Sequence, residues 1–195
     1  MSKVALLVAD EFEDTELAEA KARLEDAGHD VEVLGLAAGV ELVGKHGRER
    51  VVTDARVADR RAIDYDAVVI PGGRSPRRLR TEPVVVAFVA AAAARRIPIA
   101  AICHGPQLLI AAGVVRGHRM TAWRSVWDEL HDAGARVLDA EVVEDGPFIT
   151  SRSSHDAPAF VDALLHRLAA APMVAHDIER ARHRGDDHAS GHDRR

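Results

Sequence analysis

Three short apolar runs constrain this chain most. Val4–Ala9, the run within Asp66–Ile70 and Ile97–Ile102 lack the polar alternation of a half-exposed strand. Each therefore reads as a strand covered on both faces. Between the first two lies an amphipathic segment (Leu17, Ala20, Ala22, Leu24, Ala27) stopped by Gly28, then a second strand over His29–Leu34. Val40–Thr53 follows as a hairpin-like excursion around Gly44-Lys-His-Gly47, and residues 84–94 are alanine- and valine-rich and helical. Buried strands alternating with helices specify an α/β fold, a doubly wound and mostly parallel sheet. Sites in such sheets lie beyond the carboxyl ends of the strands. Three loops fall there: Glu11–Asp14, Pro71–Arg74 and Cys103-His104.

The third loop is the most informative. After the apolar run, Cys103 and His104 lead into Gly105-Pro106 and an apolar helix over Pro106–Ala112 that exits at Gly113. Proline suits the first helical position and glycine the exit. The turn so formed is a nucleophile elbow with a cysteine at its tip. A helix N-terminus beside the thiol predicts a lowered pKa and a thiolate. An apolar strand end often buries a structural cysteine, but a core cysteine needs no adjacent imidazole, glycine or new helix, so the flanking residues favour function.

Beyond the elbow, Met120 and Thr121 end a short strand and Trp123–Ala133 reads as helical. Arg136–Ala140, Glu141–Asp145 and Phe148–Ser151 read as strands, and Ala157–Ala171 as a final amphipathic helix. This divides the chain into one domain over 1–171 and a polar tail over 172–195, where His176, His183, His188 and His192 lie among Arg, Asp, Gly and Ser. That composition predicts a solvated extension rather than a metal site.

Composition narrows the classes. The 195 residues are 47% hydrophobic, enough for a sizeable core, and the net charge of -5 offers no basic surplus for nucleic acid. A single cysteine forms no internal disulfide, and no apolar run is long enough to span a bilayer. The expectation is a cytoplasmic protein without nucleic-acid or membrane partners.

Around the elbow, each residue has two readings. Glu13 either donates a hydrogen bond from a protonated carboxyl to the thiolate or, with Glu11 and Asp14, favours the following helix N-terminus. Gly72 and Gly73 either make a tight turn or aim backbone N–H groups at an anion, which with the His104 N–H would form an oxyanion hole. His104 is either a general acid–base or a structural imidazole.

Several motifs taken together resemble the ThiJ/PfpI superfamily of class I glutamine-amidotransferase-like domains, most closely its PfpI-like intracellular cysteine peptidases. They are Ala9-Asp-Glu-Phe-Glu-Asp14, Gly44-Lys-His-Gly47, Tyr65 to Pro76 with its Pro71-Gly-Gly73, Ala101-Ile-Cys-His-Gly-Pro-Gln107, Ala140 to Gly146 and Thr150-Ser-Arg152. The resemblance implies a flavodoxin-like three-layer sandwich, no cofactor or metal, and homodimers or hexamers. It implies Cys103 as nucleophile, Glu13 as the buried acid at its sulfur, His104 as the catalytic histidine, and the Gly73 and His104 amides as the oxyanion hole. Gly72, Arg77, Trp123, His155 and Asp156 are implied to line the substrate pocket.

The chain also departs from the pattern. Arg77 stands where the peptidase branch places the glutamate that completes its triad across subunits. An arginine cannot accept a hydrogen bond from His104. In the segment Ser151-Arg-Ser-Ser-His-Asp156, Ser154 replaces a proline and His155 is added, while Trp123 takes the place of an aromatic that is often tyrosine. The expected function is thus a cofactor-independent enzyme acting on small reactive carbonyls, of the glyoxalase or deglycase type. The alternatives are an intracellular cysteine peptidase or amidohydrolase on peptide substrates, and a non-catalytic redox sensor built on Cys103.

Overall fold

In the computed structural model, residues 1–170 are described; the final residue of the expected domain and the tail over 172–195 lie outside them. In chain order the strands are β1 (Lys3–Leu7), β2 (Asp30–Gly35), β3 (Glu41–Val43), β4 (Arg50–Val52), β5 (Ala55–Arg56), β6 (Ala67–Ile70), β7 (Ile99–Ile102), β8 (Arg119–Met120), β9 (Arg136–Val137), β10 (Val142–Asp145) and β11 (Phe148–Ser151). The helices are α1 (Asp14–Asp26), α2 (Ser75–Leu79), α3 (Pro83–Ala94), α4 (Pro106–Ala111), α5 (Trp127–Asp132) and α6 (Ala157–Ala170).

Seven strands form one sheet in the order β10-β11-β7-β6-β1-β2-β5, parallel except for the β10–β11 hairpin. β1, β6 and β7 occupy its middle, and their side chains are buried save for Lys3 at the very start. Alternation along β1 serves both faces. Val4 and Leu6 pack with Leu17, Ala20 and Leu24 of α1 and with Phe160 and Leu164 of α6. Ala5 and Leu7 pack with Val85, Phe88 and Val89 of α3 and with Leu108 and Leu109 of α4. Helices on both faces of a mostly parallel sheet make the three-layer α/β sandwich that the apolar runs require.

Three local differences have physical reasons. The strand expected from Ile97 begins at Ile99, because Pro98 has no N–H to give and only its carbonyl joins the sheet, accepting from Val68. The strand expected over Arg136–Ala140 stops after Val137, and the next carboxylate, Asp139, turns to pair with Arg152 at 3.0 Å. The helix expected over Trp123–Ala133 opens with a 3-10 turn at Arg124–Val126 before α5.

The chain runs outward from β1 to β2 and then returns to β6 on the other side of β1. That reversal is the switch point at which the carboxyl ends of parallel strands leave a crevice. The loops after β1 and β6 are stitched across it: Glu13 N–H donates to the Gly72 carbonyl at 3.1 Å, and Arg74 N–H to the Glu11 carbonyl at 2.8 Å. The loop after β7, carrying Cys103, lies beside them.

Candidate active site

Cys103 follows β7 directly and takes a left-handed backbone conformation, φ +61°. A non-glycine residue there is strained, and such strain collects at functional turns. Its N–H donates to the Ser151 carbonyl at 3.0 Å. The sharp exit depends on Gly105: a Cβ at that position would lie 2.5 Å from the Ile70 carbonyl oxygen. Pro106 then starts α4. The elbow is therefore formed, with Cys103 only 7% exposed.

The carboxyl against the sulfur belongs to Glu16, not Glu13. Glu16 is 1% exposed, and it hydrogen-bonds the Cys103 thiol. Its Oε2 accepts from the Gly72 N–H at 2.7 Å, and its Oε1 accepts from the Ser154 hydroxyl at 3.0 Å. Burial pushes the Glu16 pKa up to about 7, with the charge of Glu13 adding to the rise, while the Gly72 and Ser154 hydrogen bonds oppose it.

Helix phase explains the exchange. Glu13 immediately precedes α1 in an extended conformation and turns toward the β3–β4 loop, where it forms an ion pair with Lys45. The His46 Nε2 lies 3.5 Å from its other oxygen. Glu16, in the first turn of α1, sits on the buried stripe with Leu17, Ala20 and Leu24. A carboxylate on an apolar stripe was the available signal for it.

The expected low thiol pKa is also corrected. Burial raises it above the usual thiol range, and the charge of Glu16 raises it further; the His104 and Gly73 backbone N–H groups bonded to the sulfur only partly offset this. A helix of six residues, Pro106–Ala111, offers a weak dipole against that desolvation. Glu16 and Cys103 are thus a coupled proton-holding pair rather than a free thiolate beside an acid.

The same two amides, of Gly73 and His104, are the ones the sequence assigned to an oxyanion hole, and they face the sulfur. Gly72 acts differently, since its N–H is taken by Glu16, and a Cβ there would lie 2.7 Å from both the Cys103 Cβ and the Glu16 Oε2. The His104 Nδ1 is 3.3 Å from the Cys103 sulfur, and its Nε2 is 3.4 Å from the Ser125 hydroxyl oxygen. Burial, then the charge of Lys45, lowers the His104 pKa against the opposing pull of Glu13, which favours a neutral imidazole. Among the described residues Ser125, not a carboxylate, occupies the far side of His104.

A cleft of about 540 Å³ opens over Gly73 and His104, with Lys45, Arg77, Gln107 and Ser125 in its walls. Arg77 is thus at the site. Trp123 is 45% exposed beside it, its ring 6.5 Å from that of His104. His155 and Asp156 are not in the cleft walls. His155 faces solvent, and Asp156 is buried with both oxygens on the Arg152 guanidinium at 2.9 and 3.0 Å. The 3-10 turn Ser154–Asp156 instead sends Ser154 inward to Glu16.

For a metal, Glu13, Asp14 and His46 bring ligand atoms within 4.8 Å of one another. Both carboxylates are already committed, Glu13 to Lys45 and Asp14 to the N–H groups of His46, Arg48 and Glu49. Among the described residues no helix is long and apolar enough to cross a membrane.

Residues 2–167 match the DJ-1/PfpI family. The chain is 43% identical over 158 residues to the Bacillus subtilis protein named "Putative cysteine protease YraA", covering 81% of this chain and 93% of that one. The crystal structure of the DJ-1 superfamily protein STM1931 from Salmonella typhimurium superposes with a TM-score of 0.80 at 32% identity, over 95% of this chain and 98% of that one. Drosophila melanogaster DJ-1beta superposes with a TM-score of 0.80 at 29% identity, over 88% and 92% of the two chains.

Proposed function

Because this chain belongs to the DJ-1/PfpI family and sets its one cysteine against a buried carboxyl, we propose that it is a cofactor-independent enzyme acting on small reactive carbonyls through Cys103. The observation that carries this reading is the Glu16–Cys103 hydrogen bond beneath two amides that face the sulfur.

The chemistry follows from that arrangement. As sulfur attacks the carbonyl carbon of an aldehyde, the thiol proton passes to the Glu16 carboxylate. The π pair moves onto oxygen, where the Gly73 and His104 N–H groups stabilise the alkoxide. Glu16, with a pKa of about 7, then returns the proton to that oxygen, giving a hemithioacetal. With an α-oxoaldehyde, neutral His104 takes the remaining C–H proton to form an enediolate and returns it to the adjacent carbon, while the hydroxyl proton on the first carbon passes to the second oxygen, leaving a thioester. Water hydrolyses it to a 2-hydroxy acid and free Cys103, so the net reaction adds one water and transfers no electrons. No acid behind His104 is required.

A second reading, peptide hydrolysis, is favoured by the 3.3 Å contact between His104 and the Cys103 sulfur and by the name of the Bacillus relative. It would run on a Cys–His dyad, since Ser125 and not a carboxylate faces the far nitrogen of His104. One experiment separates the two. Methylglyoxal consumption without glutathione is measured for the native protein and Cys103→Ala, with a fluorogenic peptide assay on the same samples. Aldehyde loss that requires Cys103, without proteolysis, is the expected result. Proteolysis that requires Cys103, with methylglyoxal left intact, overturns the carbonyl reading in favour of the second.

A further inference from the structure

We propose that the cleft selects small carbonyl compounds bearing an anionic group, a carboxylate or a phosphate, and that Arg77 binds that group. This deepens the carbonyl reading above and rests on it.

Two of the cations lining the cleft are already satisfied. Arg74 pairs with Glu11 at 2.6 Å, and Lys45 pairs with Glu13. Arg77, in the same wall, has no carboxylate or hydrogen-bond partner among the described residues. Gln107 lines the cleft with an amide that likewise has no partner among them. The chain as a whole carries a net charge of -5, so an unneutralised guanidinium in the cleft wall that also holds His104 is a local inversion of sign.

The base of Arg77 is also held in place. It lies on α2, whose first residue, Ser75, is fully buried and accepts the Ala9 N–H at 2.8 Å. This ties the helix to the end of β1, the strand that leads to Glu16. A guanidinium presents its donors as a planar fork that matches a carboxylate or phosphate in two parallel hydrogen bonds. The Gln107 N–H₂ adds a donor without adding charge. A substrate whose carbonyl reaches Cys103 while its anionic end remains in the cleft satisfies Arg77, which lacks a partner among the described residues.

The test uses Cys103, the only cysteine, as its own reporter. Iodoacetate and iodoacetamide both alkylate it by displacing iodide, and they differ in a carboxylate against a neutral amide. The rate ratio of the two reagents is measured at pH 8.5 and normalised to free cysteine in the same buffer. For an exposed cation the expected change is modest: the ratio falls about threefold to fivefold in Arg77→Gln, further in Arg77→Glu, and is partly kept in Arg77→Lys. Competition by acetate or by inorganic phosphate tells the two anion classes apart, the better protector naming the substrate's group. A ratio that is the same in the native protein, Arg77→Gln and Arg77→Glu overturns the inference. A second measurement compares kcat/KM for hydroxypyruvaldehyde phosphate and methylglyoxal, and the preference for the phosphorylated aldehyde should fall in parallel. If neither aldehyde is consumed but the alkylation ratio follows Arg77, anion selection stands and the carbonyl reading fails. If methylglyoxal is consumed and the ratio does not move, the reverse holds.

Discussion

Glu16 and Cys103 meet in the space that a side chain at position 72 would fill. A Cβ there would lie 2.7 Å from the Glu16 Oε2 and 3.2 Å from the Cys103 sulfur, while the Gly72 N–H itself holds that carboxyl oxygen at 2.7 Å. The glycine therefore both admits the contact and orients it. The negative charge on Glu16 raises the proton affinity of the thiol, and burial raises that of both groups. Their protons belong to the pair, and the variants below act on the pair in separable ways.

Turnover distinguishes Glu16 from Glu13. Glu16→Gln is nearly isosteric and keeps a carbonyl oxygen for the Gly72 N–H, but it cannot carry the thiol proton. Aldehyde consumption should fall by about 10²-fold or more, the usual scale for a lost general acid–base. Glu13→Gln removes a charge whose partners are Lys45 and His46, and should stay within roughly tenfold of the native rate. Steady-state assays on both variants check this. Equal losses would remove the proton-carrying role assigned to Glu16.

Alkylation should respond with the opposite sign. Without the charge on Glu16, the thiolate is no longer repelled and the thiol pKa falls. Iodoacetamide should then modify Cys103 in Glu16→Gln about tenfold faster than in the native protein at pH 8, corresponding to a change of about one pKa unit. A variant slower in turnover and faster in alkylation is hard to explain by misfolding. Slower alkylation would mean that Glu16 stabilises the thiolate.

Ser154 allows the pH profile to be tuned from outside the pair. Its hydroxyl donates to the Glu16 Oε1 at 3.0 Å and holds the carboxyl pKa down against burial. In Ser154→Ala that pKa should move above about 7, and the limb of the kcat/KM profile that reports Glu16 ionisation should move to higher pH with it. A profile superimposable on the native one would show that Glu16 does not titrate in turnover.

Stability should carry the same signature. The Glu16 carboxyl has a pKa of about 7 in the fold against 4.5 in the free chain, so between those values the native state holds more proton than the unfolded state. Unfolding free energy therefore declines as pH rises through that window, by roughly 3 kcal/mol at most. Other carboxylates act in the opposite direction at lower pH, Asp156 among them through its Arg152 ion pair. The informative quantity is thus the difference between native and Glu16→Gln urea midpoints from pH 4.5 to 7.5. The native protein should lose ground relative to the variant as pH rises; a constant difference would place the carboxyl pKa outside that range.

Much of this was legible in the residues, and the exceptions share a cause. Strands buried on both faces demand the apolar runs seen in β1, β6 and β7, and the Gly105-Pro106 pair marks the elbow because backbone crowding and helix initiation each require a specific residue there. What could not be read was orientation. Glu13 and Glu16 are three residues apart, and only the helix start at Asp14 decides which one falls on the stripe of Leu17, Ala20 and Leu24. Within Ser154–Asp156 the turn sends Ser154 to Glu16 and leaves His155 in solvent, although the motif alone ranked the histidine above the serine. The thiol pKa was misjudged because burial outweighs the dipole of a six-residue helix.

Asp14 tests whether the cleft wall carrying Lys45 and His46 is built or merely adjacent. Its carboxylate is 2% exposed and accepts the backbone N–H groups of His46, Arg48 and Glu49 at 2.8 to 2.9 Å. Burial alone would raise its pKa, but those three hydrogen bonds, with a fourth from its own backbone N–H, outweigh it and hold the carboxyl below its usual value. Its contribution is thus present above the unfolded pKa of 3.8 and lost as pH falls below it. Gly44 leaves room for this, since any Cβ there would overlap the Asp14 carboxylate. Asp14→Ala should cost about 2–3 kcal/mol in urea unfolding at pH 7, as backbone amides lose their acceptor, and Asp14→Asn less. Because the same loop carries Lys45 and His46 into the cleft, KM should rise more than kcat falls, and amide exchange should quicken at His46, Arg48 and Glu49. Native stability with slow exchange at those amides would instead show that the β3–β4 pairing holds the loop by itself, leaving Asp14 no part in shaping the cleft.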